Sequence, residues 1–206
     1  MRESPPCPSR RRFVMALASL AALAPMPARA QTSGATQFMA QLATQVGALV
    51  GDRLRPQGQR EQEFLVLMNN AFDVAKIARF DLGRYWNLFS DEQRQQYLAM
   101  FPAYMASYYW LTFNTYSDAG FAVMSERTDA NGVIIVHSQI ELNDQRPPIP
   151  VDWHIVSEDG AFKIADVDVQ GLSQNLSYRD YFANLIEKNG GQASIVLDTM
   201  RKQIKK

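Results

Sequence analysis

The spacing of apolar residues switches from helical to alternating near residue 118 and back to helical after residue 170, and the first switch restricts the fold more than any other feature of the sequence. Upstream, apolar side chains recur three and four residues apart, the period of one helix face. Phe38, Leu42, Val46 and Val50 predict a helix over 33–50, and Pro56 and Gly58 place a loop from Arg53 to Gln59. Phe64, Leu65, Met68, Phe72 and Ile77 predict helix over 60–82, broken near Asn69-Asn70 and stopped at Gly83. Ser90-Asp91-Glu92-Gln93 is a capping box, in which the serine hydroxyl accepts the backbone N–H of Gln93. A long helix to about Tyr116 follows. Its apolar residues, Tyr97, Leu98, Phe101, Met105, Tyr108, Tyr109, Leu111 and Phe113, occupy nearly all its faces, which describes a buried helix. Pro102 removes a backbone donor inside it and predicts a kink.

Downstream the pattern alternates. Residues 120–127, 132–142, 149–157 and 161–170 predict four strands. Ile134, Val136, Ile140 and Leu142 share one face of the second strand, and Val151, Trp153 and Ile155 one face of the third. Asn131-Gly132 and Asp159-Gly160 are hairpin turn signals, because glycine tolerates positive φ. The fourth strand is irregular. Phe162 and Ile164 share a face while Ala165, Val167 and Val169 take the other, so either both faces are covered or a bulge shifts the phase. Residues 178–188 and 192–206 read as closing helices, separated by Asn189-Gly190-Gly191. Helices, then consecutive strands, then helices give an α+β fold, with several helices packed on a curved four-stranded antiparallel sheet.

The first thirty residues do not belong to that fold. Arg2, Arg10, Arg11 and Arg12 precede an apolar run from Phe13 to Ala24, and Ala28-Arg29-Ala30 ends the segment. A positive start, a short apolar middle and an Ala-x-Ala exit make a signal peptide over 1–30, leaving one domain over 31–206. Ser9-Arg10-Arg11-Arg12-Phe13 resembles the twin-arginine motif, and an ordinary secretory signal with one extra arginine reads equally well. Either route leads to a bacterial periplasm. The lone cysteine, Cys7, lies in the signal, so the processed chain carries no disulfide and no thiol nucleophile. The signal also holds five of the 21 basic residues and one of the 21 acidic ones, leaving 16 against 20 and a net charge of about −4. That charge argues against nucleic acid as a partner.

Residues that could carry chemistry are few. His137 and His154 fall on predicted strands, and no Gly-x-Ser-x-Gly elbow or phosphate-cradling glycine loop accompanies them. Asp166 and Asp168 lie two apart on a strand and could work as a carboxylate pair with Asp152, but facing water or holding a helix end is the more ordinary use. No metal-ligand cluster is evident, and no catalytic residue is assigned. The aromatic helix admits two readings, plain core packing and a cavity for an apolar guest.

Two blocks of sequence resemble a known family. Val151-Asp152-Trp153-His154 is followed by Gly160-Ala161-Phe162-Lys163-Ile164-Ala165-Asp166-Val167, then Gly171-Leu172-Ser173, then Tyr178-Arg179-Asp180-Tyr181-Phe182. Upstream stand Phe72-Asp73, Ile77-Ala78, Leu82-Gly83-Arg84-Tyr85-Trp86 and Glu92-Gln93, before the aromatic helix. In this order they resemble the MlaC family of periplasmic phospholipid carriers, also called the toluene-tolerance family. Leu172 stands where the family usually has Val, Ser177 where it has Asn, and Pro102 within the long helix is unusual for it.

The resemblance implies a carrier and not an enzyme. Its members hold phospholipid tails in an apolar pocket between sheet and helices. They pass lipid between an outer-membrane lipoprotein complex and an inner-membrane ABC transporter with MCE domains. A related branch, HpnM, accompanies hopanoid synthesis, so a hopanoid is the alternative cargo. No cofactor is implied beyond the bound phospholipid. Alternation and family position together suggest tail contacts at Phe101, Met105, Tyr108, Ile134, Val136, Ile140, Val151, Trp153, Ile155, Val167 and Val169, each of which could equally be plain core. Arg179 could hold a carboxylate or cap the strand–helix junction, and the structural role is preferred. A hydrolase or isomerase on a similar cone-shaped sheet is the competing reading, and it requires a titratable pair, Asp152, Asp166 or His154, pointing inward.

Overall fold

The computed structural model describes residues 33–143 and 146–205, and the signal over 1–30 lies outside them. The described chain runs α1 (Gly34–Gly51), α2 (Gln57–Ala71), α3 (Val74–Leu82), a 3-10 turn (Gly83–Leu88) and α4 (Asp91–Thr115). It continues as β1 (Gly120–Thr128), β2 (Ile134–Glu141), β3 (Ile149–Glu158), β4 (Ala161–Val169), β5 (Leu172–Ser173), α5 (Gln174–Lys188) and α6 (Ser194–Ile204). The sheet is antiparallel in the order β1-β2-β3-β4-β5. The fold is α+β, with five strands instead of the expected four.

The extra strand has a local cause. Gln170 and Gly171 both take positive φ, 53° and 78°, the conformation of a two-residue hairpin turn. The turn brings Leu172 and Ser173 back against Val169 and Asp168. Ser173 then caps α5, its hydroxyl accepting the N–H of Leu176. A strand of two residues that is also a helix cap shows no alternation to read. For the same reason α5 begins at Gln174, ahead of the predicted 178.

Other boundaries moved because distant segments meet. The helical stretch over 60–82 breaks at Phe72-Asp73 and not at Asn69-Asn70. Phe72 turns extended there, the Asp73 N–H donates to the Ile164 carbonyl of β4 at 2.9 Å, and the Asp73 carboxylate caps α3. The sheet thus supplies the acceptor that ends one helix and starts the next. On β4, Ile155 pairs Ile164 while His154 pairs Asp166. Ala165 is left over as a bulge, which explains the phase change along that strand. The capping box at Ser90 and Gln93 forms in both directions.

α4 continues through Pro102 as one helix. Proline leaves the Leu98 carbonyl without its usual donor, and Leu98 is exposed, so water can serve it. The helix is not buried on every side, since Tyr108 and Leu111 are exposed as well. Its buried stripe centres on Tyr97. That ring meets Trp86, Phe89, Phe101 and Phe182 at 5.5–6.5 Å between centroids. Its hydroxyl donates to the Ala78 carbonyl at 2.8 Å, so the one polar atom of a fully buried ring is satisfied. α3, α4 and α5 are joined through this ring.

Replacing Tyr97 by alanine is expected to cost about 3–5 kcal/mol in urea unfolding, the usual loss for a buried aromatic. Ser90→Ala, which removes only a cap, is expected to cost about 1 kcal/mol.

Candidate functional site

The inner face of the sheet carries Ile134, Val136, Ser138 and Ile140 from β2 and Val151, Trp153 and Ile155 from β3, because alternate residues of a strand share a side. The helices cover this face and leave a cavity of about 110 Å³ beneath α1. Leu42 and Val46 of α1, Phe72 of the α2–α3 junction, Phe113 of α4, Ile140 and Trp153 are among its walls. The buried polar atoms nearby are paired. Trp153 Nε1 donates to Ser138 Oγ at 2.9 Å, and Ser138 Oγ donates to the Val151 carbonyl at 3.0 Å. The indole is thereby held in one orientation and offers the cavity its carbon face.

α1 is fastened at both ends. Glu126 of β1 accepts hydrogen bonds from the hydroxyls of Ser33 and Thr36 at the helix start. Arg60 of α2, buried over the Trp110 ring, donates to the Val50 and Leu49 carbonyls at the helix end. An acid at the N-terminus and a base at the C-terminus both complement the helix dipole.

A second, smaller void of about 10 Å³ lies beside it, and Phe72 belongs to the walls of both. Asp81, Asp166, Tyr104, Tyr109 and Tyr178 line it together with Phe101 and Met105. Asp81 is 1% exposed, and neither of its carboxyl oxygens has a hydrogen-bond partner among the described residues. Burial, with a smaller contribution from the neighbouring Asp166 charge, pushes this carboxyl up to about 8. The same burial raises the phenols of Tyr104, Tyr109 and Tyr178, which stay neutral. Asp81 was not anticipated, although helical spacing from Ile77 and Ala78 places it on the buried stripe of α3. A polar residue on an apolar stripe was the signal to follow.

The predicted contacts separate into groups. Ile140 and Trp153 line the larger cavity, and Phe101, Met105 and Val167 the smaller void. Val136, Val151 and Ile155 are buried in the surrounding core, with Ile134 and Val169 half-buried against it. Tyr108 is at the surface, its ring edge against Tyr178. The cavity walls supplied by α1, and by Phe72 and Phe113, were read only as helix faces. Arg179 lies over the Phe80 ring and against Gly83.

The polar strand residues point elsewhere. His137 Nδ1 lies 2.7 Å from Asp152 Oδ1 and His154 Nε2 3.0 Å from Asp168 Oδ2, on the face of the sheet opposite the cavity. Asp166 holds the start of α5, accepting from Ser173 Oγ at 2.5 Å and from the Asn175 N–H at 3.1 Å. Among the described residues no group of three His, Cys, Asp or Glu side chains is placed to hold a metal ion, and no helix is long and apolar enough to cross a membrane.

These features define a class of protein: an antiparallel sheet whose apolar face is roofed by helices over an internal cavity. Its family is shown by comparison. The family model described as MlaC protein matches residues 40–202, and the chain belongs to the MlaC family. No curated protein matches the sequence. A similar solved structure is that of a phospholipid-binding protein from Ralstonia solanacearum, in complex with a phospholipid. It shares 20% identity with a TM-score of 0.66, covering 84% of this chain and 98% of that one, and shows that the fold is the same.

Between its ordinary value of 3.8 and about 8, Asp81 keeps its proton in the folded protein and loses it in the unfolded chain. Stability must therefore fall as pH rises through that window, by at most about 1.4 kcal/mol per unit. Asp81→Asn is expected to be more stable than the parent by about 2 kcal/mol or more at pH 8. The gap should close toward pH 4 in urea titrations; a gap independent of pH would show that Asp81 ionises normally.

Proposed function

We propose that this chain is a periplasmic lipid carrier, exported by the signal over 1–30. It holds phospholipid acyl chains in the cavity and shuttles them between an outer-membrane lipoprotein complex and an inner-membrane MCE-domain ABC transporter. The observation that carries this reading is the carbon-lined cavity under α1, on an inner sheet face whose buried Ser138 and Trp153 are already hydrogen-bonded to each other. Membership of the MlaC family and the phospholipid held by the Ralstonia solanacearum protein support it.

The energetics require such a cavity. Each buried CH₂ is worth about 0.8 kcal/mol, so two acyl chains represent on the order of 25 kcal/mol against water. The bilayer already provides that burial, and a carrier must nearly match it. An unpaired polar atom in the pocket would cost about 1–3 kcal/mol of the match. Ligand pockets span roughly 300–1,000 Å³, whereas this cavity is about 110 Å³, so loading needs the walls to part. α1 borders the cavity along one face and is tied to Glu126 at its start and Arg60 at its end, and it is the wall we take to move.

A hydrolase or isomerase needs an inward titratable pair. Asp152 and His154 face away from the cavity, and both oxygens of Asp166 are engaged at the start of α5. Asp81 is left as an inward carboxyl with no free base beside it, which favours carriage over catalysis.

Native mass spectrometry of the purified protein, with lipid extraction from the same sample, is expected to find bound phospholipid. A hopanoid in its place would change the cargo and keep the carrier. Protein that is repeatedly empty and takes no lipid from vesicles would sink the reading. Gly47 of α1 lines the cavity, and a Cβ there meets open space. Gly47→Ala is expected to stabilise by about 0.5–1 kcal/mol. Gly47→Phe should fill the cavity and cut lipid uptake severalfold in a vesicle-transfer assay while the protein remains folded.

A further inference from the structure

The small void beside Asp81 is unlike the rest of the interior. A plain hydrocarbon pocket has no use for a buried carboxyl, and leaving one without a partner is costly. Two unpartnered polar groups meet at this void: both oxygens of Asp81 and the hydroxyl of Tyr178. Its volume of about 10 Å³ is close to what one oxygen-sized group needs, about 10–15 Å³ on the same measure. The remaining walls are mostly carbon, from Phe72, Ile77, Phe101, Met105 and Val167.

We propose that Asp81 and Tyr178 form a hydrogen-bonding subsite across the Phe72 ring from the cavity, which takes one hydroxyl carried on an otherwise apolar guest. The reading rests on the carrier function and specifies which lipids the carrier selects. A neutral carboxyl offers one O–H donor and one carbonyl acceptor, and a phenol offers a donor and an acceptor. A hydroxyl has one donor and two lone pairs, so the two side chains can satisfy it completely. The carboxyl is neutral at pH 7 because burial holds its proton on. The titratable groups around it are Asp166 of β4, tied to the start of α5, and the neutral phenols of Tyr97, Tyr104, Tyr109 and Tyr178. Phe72 is common to both voids. That ring must swing aside for a guest under α1 to reach Asp81.

The guest's hydroxyl and a water molecule present the same chemistry, and the test separates them. Affinities of the purified protein for hexadecanoic acid and 16-hydroxyhexadecanoic acid are compared at pH 7 by displacement of a fluorescent acyl probe. A purely apolar pocket would penalise the second chain for its buried hydroxyl. The subsite predicts the opposite, a preference of about tenfold for the hydroxylated chain, the worth of one net hydrogen bond. Asp81→Leu and Tyr178→Phe should each abolish or reverse that ratio, and either variant suffices if the other fails to fold. Equal affinities in the parent protein, or a preference unchanged by the substitutions, would overturn the subsite alone. So would a crystal structure of the complex with an ordered water, in place of the chain's hydroxyl, on Asp81. Failure to bind either chain or to take phospholipid from vesicles would overturn the carrier reading and the subsite together.

Discussion

An apolar sheet face that cannot be left to water is the constraint on which the rest of this structure depends. Val136, Val151, Trp153, Ile155, Ile164 and Val167 are buried on it, and each such side chain is worth roughly 1.5–3 kcal/mol removed from water. α4, with its aromatic stripe, packs mainly against α2 and α6. α1 roofs one end, packed through Met39, Leu42 and Val50 and tied at its termini to Glu126 and Arg60, whose charges suit its dipole.

The buried polar atoms divide by whether they have partners. The Tyr97 hydroxyl, the Trp153 indole and Ser138 are each satisfied by a named neighbour, and they fix where rings and strands sit. Asp166 is satisfied too, by the first residues of α5, which ties the fourth strand to the helix that follows the fifth. Asp81, enclosed on a helix stripe, and the Tyr178 hydroxyl have no partner among the described residues. Buried polar groups without partners are rare in proteins because they are expensive. One that faces a void bordered by Phe72, a wall of the larger cavity, invites a guest that can bond it.

Much of the fold was legible because its signals are local. The capping box opened α4 at the expected residue, Asp159-Gly160 turned β3 into β4, and paired glycines separated α5 from α6. The bulge on β4 was visible as a change of phase. What escaped was decided between segments. The α2–α3 break depends on a hydrogen bond to Ile164, more than ninety residues away. β5 is too short to alternate. The residues read as tail contacts lie on the inner face of the sheet or on α4, with Tyr108 at the surface. Alternation names a face, however, and does not say which part of it stays unfilled.

The sequence by itself determined the α+β order, the hairpins, the helix caps and the inward side of β2 and β3, because periodicity, turn chemistry and capping act within a few residues. The family was also legible, since its blocks are read in order along the chain. Only the tertiary structure decided that α1 roofs the cavity, that Ile140 and Trp153 border it while Val136 and Ile155 are packed solid, and that Asp81 is enclosed beside Asp166 and Tyr178. Desolvation and empty space belong to a volume enclosed by several segments. No single stretch of chain contains either until the segments have come together.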